Sequence, residues 1–66
     1  MPYTELWRII RDDHVGSWIK VEFATKCCAD MAERQRMEDD PTITTITRVR
    51  EQSDVADFGR ALEESR

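Results

Sequence analysis

The sequence predicts a single small α+β domain with element order ββαβα. Three observations lead there: two stretches of alternating polarity joined by a short polar turn, a run of helix formers stopped by Pro41, and a β-branched run followed by a short amphipathic segment. Sixty-six residues leave room for one domain, residues 1–66, with 5–50 as a ββαβ core and 53–66 as a C-terminal helix. A chain of this size buries only about 60% of the surface its unfolded form exposes. The core is therefore thin, with no room for an enclosed substrate cavity.

From Glu5 to Asp12, Leu6, Arg8 and Ile10 fall on one face of a strand and Trp7, Ile9 and Arg11 on the other. A second strand runs from Ser17 to Thr25, where Ile19, Val21 and Phe23 oppose Trp18, Lys20, Glu22 and Ala24. Between them, Asp13-His14-Val15-Gly16 suits a four-residue hairpin loop in which Gly16 supplies a positive φ. That loop pairs Asp12 with Ser17, Ile10 with Ile19, Arg8 with Val21 and Leu6 with Phe23. It collects Leu6, Ile10, Ile19, Val21 and Phe23, with Arg8, on one core face. The opposite face then carries Trp7, Ile9, Trp18 and Ala24 among Arg11, Lys20 and Glu22, and requires a cover or a partner.

Helix formers dominate from Lys26 to Asp39, with Thr25 as N-cap and Cys28, Met31, Ala32 and Gln35 as the stripe expected to pack on the sheet. Pro41 ends the helix, leaving Glu38, Asp39 and Asp40 at the end where the helix dipole disfavours negative charge. Thr42 to Glu51 is almost wholly β-branched and forms the third strand, reached by a crossover long enough for a parallel return. Ile43 and Ile46, three apart, share a face only if a bulge lies near Thr44-Thr45. Ser53 is the expected N-cap of the last helix, whose Val55, Phe58 and Leu62 stripe docks on the Trp7, Ile9 and Trp18 face.

Chemistry-bearing residues are sparse. Cys27 and Cys28 are adjacent, so a disulfide between them staples no loop; one is expected to pack as a small apolar residue and the other to sit half exposed. A single His14 cannot complete a metal site with them, and no metal or cofactor is expected. Asp12-Asp13-His14 has acid–base residue types, but a hairpin tip desolvates nothing and these are ordinary turn residues. No catalytic residue is assigned, and the domain is read as non-enzymatic. Ten Lys and Arg against fourteen Asp and Glu give a net charge of -4, which disfavours nucleic acid as the default partner. Apolar runs of three residues or fewer exclude a spanning helix, and a complete, cytoplasmic gene product is expected.

The residues singled out for partner binding are Trp7 and Trp18 with Arg11 beside them, since tryptophan and arginine dominate interface hot spots.

From Leu6 to Arg50 the layout resembles small bacteriophage host-takeover proteins, most closely the podophage inhibitor of bacterial RNA polymerase. The residues carrying the likeness are Leu6-Trp7 in the opening strand, Phe23-Ala24-Thr25 closing the second, and Ile46-Thr47-Arg48-Val49-Arg50 closing the third. This chain departs from that family by its added C-terminal helix. The resemblance implies stoichiometric binding to a protein of the host bacterial cytoplasm such as RNA polymerase, with Arg48 and Arg50 as contacts and Glu33 and Glu38 as further ones. Two alternatives stay open: a nucleic-acid-binding accessory protein using the Thr and Arg strand, and a self-associating structural protein, a homodimer through its edge strand or tryptophan face.

Overall fold

Alternation in the first quarter of the chain does fold into an antiparallel hairpin, though not in the expected register. The computed structural model describes residues 2–66. Strands β1 (Tyr3–Arg11) and β2 (His14–Phe23) precede helix α1 (Lys26–Asp39), strand β3 (Ile43–Arg50) and helix α2 (Val55–Glu64). The sheet order is β2-β1-β3 and both pairings are antiparallel. β3 therefore runs in the same direction as β2, but with β1 between them. None of the helices is long and apolar enough to cross a membrane, among the described residues.

The hairpin turns on Asp12-Asp13 alone, so His14 and Val15 join β2 rather than a four-residue loop. Arg8 pairs with Trp18, Trp7 with Ile19 and Tyr3 with Phe23. Against the expected pairing of Leu6 with Phe23 this is an odd shift, and an odd shift exchanges the faces of a strand. Ile19, Val21 and Phe23 accordingly share a face with Trp7 and Ile9, not with Leu6 and Ile10.

Gly16 explains how the shorter turn is accommodated. Between Arg8 and Ile10 the ladder advances two residues on β1 but three on β2, from Trp18 to Val15, which makes a bulge at Gly16-Ser17. No glycine has a positive φ, so the expected role of Gly16 is replaced by another. A Cβ placed there would lie 3.0 Å from the backbone oxygen of Ile9. Any side chain there presses on the neighbouring backbone, which would have to give by a few tenths of an ångström to admit it.

The sheet is covered on both faces. Trp7, Ile43, Ile46 and Ala29 form one cluster, with Tyr3, Ile9, Val21, Phe23 and Ala32 packed against it. Leu6, Val49, Phe58 and Ala61 form the other, on the opposite face, with Trp18 against it. The expected Thr44 bulge is present: Ile10 pairs with Thr45 and Arg11 with Ile43, which skips Thr44 and returns both isoleucines to the core.

Both helix attachments differ from expectation. Thr25 caps α1 by accepting a bond from the Cys28 N–H at 3.2 Å. The buried stripe, however, is Ala29 and Ala32, while Cys28, Met31 and Gln35 face solvent together with Cys27. Neither cysteine packs as a core residue. In α2 the N-cap is Asp54 rather than Ser53; its carboxylate accepts the Arg50 N–H at 3.0 Å and so closes the turn out of β3. α2 docks on the Leu6 face, not on the Trp7 face.

The two glycines should respond oppositely to alanine. Gly16→Ala is expected to destabilise by about 1–3 kcal/mol, since a backbone oxygen cannot move aside as a side chain can. Gly59→Ala, in α2 with nothing within 4 Å of the added methyl, should stabilise by about 0.5–1 kcal/mol. Urea unfolding midpoints of the two variants measure both signs.

Candidate functional site

Three residues at period two on β1, Tyr3, Glu5 and Trp7, point to the α1 face, and the middle one is a carboxylate with 0% exposure. Glu5 is held by a full set of donors. Arg48 donates from Nε to Oε1 at 2.6 Å and from Nη2 to Oε2 at 2.8 Å. Trp7 Nε1 donates to Oε1 at 2.7 Å, and the Tyr3 hydroxyl donates to Oε2. Two oxygens with about four lone-pair sites thus receive four donors, and the bidentate fork is the strongest geometry available to such a pair.

Arg48 continues the network into α1. Its Nη1 lies 2.7 Å from Asp30 Oδ1 and 3.0 Å from Glu33 Oε1, leaving the side chain 11% exposed. Direct register pairs Trp7 with Arg48 and Glu5 with Arg50, so the Glu5–Arg48 contact is a diagonal one. Arg50 Nε stays 4.0 Å from the same carboxylate. Burial raises the Glu5 pKa, but the bonds from Arg48, Tyr3 and Trp7 outweigh it and bring it down to about 2. The same bond from Glu5 raises Arg48 against the opposing effect of burial, and burial followed by the bond to Glu5 raises the Tyr3 hydroxyl.

Several of the residues expected to bind a partner already make these contacts within the chain. Trp7, 2% exposed, is core, and Arg48 and Glu33 are joined to each other across the sheet–helix junction. Trp18 lies on the opposite face from Trp7. Its indole N–H donates to Glu64 at 2.8 Å, and the Arg8 guanidinium stacks 4.6 Å from its ring, itself 3.7 Å from Glu64. This triangle closes the C-terminal end of α2 onto the sheet beside an open groove of about 330 Å³ that Val49 and Arg60 also line.

Arg11, at the other end, donates to Asp40 at 2.9 Å and Thr42 at 3.1 Å. Asp40 also accepts from the hydroxyl and N–H of Thr42, and these bonds with that of Arg11 bring its pKa to about 2. The negative charge after α1 is thereby held by neighbours instead of opposing the helix end alone. Arg50 is partly buried beside Glu5, and Glu38 remains exposed on α1.

Among the described residues no group of three or more His, Cys, Asp and Glu side chains is placed to hold a metal ion. Asp12, Asp13 and His14 are all exposed at the hairpin tip. Large apolar side chains meet solvent on α2, through Val55 and Leu62, and on two further surfaces. One is the outer ridge of α1, where Cys27, Met31, Arg34 and Glu38 succeed one another at helical spacing and Met31 is 65% exposed. The other is the free edge of β2. The chain matches no family model, no curated protein and no solved structure.

Sequence reasoning missed Tyr3 and Glu5. The available signal was the Tyr-x-Glu-x-Trp spacing, which sets one charge between two aromatic donors on the face of a strand. Because Glu5 has a folded pKa of about 2 against an ordinary 4.5, its contribution is complete above pH 4.5 and is lost as the pH falls toward 2; Asp40 adds in the same direction. Unfolding midpoints measured from pH 7 to pH 2.5 should fall steeply below about pH 4.5. Glu5→Gln at pH 7 should cost about 3–5 kcal/mol, because the amide NH2 replaces an oxygen that accepts two donors and the fork from Arg48 loses its charged acceptor. A whole domain of this length has roughly 3–10 kcal/mol, so the variant should be near unfolding.

Proposed function

We propose that this chain is a non-catalytic protein-binding module that holds a partner stoichiometrically through the outer ridge of α1. The observation that supports this reading is the inverted helix: α1 turns alanines inward and Cys27, Cys28 and Met31 outward. A helix held to its sheet by ion pairs has no need of a long apolar stripe, and its polarizable side chains are left for an outside surface. Methionine adapts to irregular partner surfaces without a fixed rotamer, which suits it to such a role. Arg34 and Glu38 on the same ridge set one charge of each sign beside Met31, the mixed polar rim that gives an apolar contact its specificity. The resemblance to phage host-takeover proteins makes bacterial RNA polymerase the first partner to try. The nucleic-acid reading loses support, because Arg48 of the Thr and Arg strand is engaged by three carboxylates.

Binding of the immobilised protein to purified bacterial RNA polymerase, with a bacterial lysate run in parallel, tests the reading. A single stoichiometric partner should be retained, and Met31→Asp, folded as judged by circular dichroism, should weaken it at least about tenfold. Retention unchanged by Met31→Asp, or no partner retained by the folded protein, contradicts the proposal.

A further inference from the structure

β2 is an edge strand, and its outward row of side chains is self-complementary in one register only. Ile19, Val21 and Phe23 alternate with Lys20 and Glu22, the first three on the α1 face and the two charges on the α2 face. Within the chain Lys20 pairs across the ladder with Leu6 and Glu22 with Thr4, so neither charge is answered there. Both are exposed, and Ile19 is 39% exposed.

A second copy laid antiparallel on this edge, with a two-fold axis at Val21, has Val21 facing Val21 of the second copy. Ile19 then meets Phe23 of the second copy, and Lys20 meets Glu22 of the second copy. Symmetry makes the apolar contact and the ion pair twice each. Trp18 falls opposite Ala24 of the second copy, a residue small enough to leave its contact with Glu64 undisturbed.

Other registers are unfavourable. Centring on Lys20 or on Glu22 sets like charges directly opposite each other. Centring on Ile19 carries the pairing into the Gly16-Ser17 bulge, where the ladder is interrupted. Shifts by one residue set Val21 against Lys20 or Glu22 of the second copy, and every odd shift sets the α1 face of one copy beside the α2 face of the other. An exposed lysine usually guards an edge strand against association; here Glu22, two residues on, makes that guard selective.

We propose that β2 pairs with β2 of a second copy about Val21, giving a two-fold dimer with one continuous six-stranded sheet. The pairing uses neither Met31 nor Glu38, so it stands or falls separately from the α1 ridge. Sedimentation equilibrium of the full chain, up to about 1 mM to reach the weak end of specific association, should show a monomer–dimer equilibrium. Lys20→Glu and Glu22→Lys should each weaken it at least about tenfold, and the double variant should recover the wild-type constant within about threefold. A wild-type chain that stays monomeric, or grows beyond dimers, overturns the proposal. Single reversals without effect, or a folded double variant that does not recover, overturn it equally.

Discussion

A carboxylate with no access to water, set inside a domain of this size, is the constraint on which the rest of the structure depends. Desolvating Glu5 is costly, and its charge is tolerable only where every lone pair meets a donor. Those donors come from two strands, Tyr3 and Trp7 on β1 and Arg48 on β3, and Arg48 in turn binds Asp30 and Glu33 on α1. One guanidinium thus ties together three elements. Sliding β3 along β1 by a residue would strand Glu5, so the network specifies register as well as attaching the helix. A small apolar core with only Ala29 and Ala32 beneath α1 would accept several helix positions; the ion pairs select one.

Element order and the extent of α1 were legible because they follow from local chemistry: Thr25 before a run of helix formers, Pro41 after it, and a β-branched run that has no other use. The Thr44 bulge was legible too, since Ile43 and Ile46 cannot otherwise reach the same core. Register in the first hairpin was not. Asp13 to Gly16 has the composition of a loop, and nothing local states that Gly16 is reserved for the close approach of the Ile9 carbonyl. That one difference exchanged the faces of β2, and so it separated Trp7 from Trp18 and moved α2 to the other side. The candidate site was obscured for a related reason. Trp7 and Arg48 have the residue types of an interface, and the same capacities, a large ring with a donor and a planar fork of donors, also satisfy a buried carboxylate.

The two proposed surfaces are compatible. Pairing within one sheet keeps each face continuous, so a dimer through β2 sets both α1 helices on the same side. Two Met31 ridges would then be offered together, and a partner with two matching sites would gain by the effective concentration of the second contact. α2 serves the other side of the sheet. Through Phe58, Ala61 and the Trp18–Glu64 bond it covers the face that the first hairpin leaves apolar.

Native-state hydrogen exchange of Asp30→Asn combined with Glu33→Gln tests most directly whether Arg48 is what holds α1 to the sheet, because Glu5 keeps its fork in that variant. The amides of α1 should exchange at least about tenfold faster while those of β1 and β2 change little. Protection of α1 equal to that of the unaltered chain would contradict it, and would mean that Ala29 and Ala32 suffice to hold the helix.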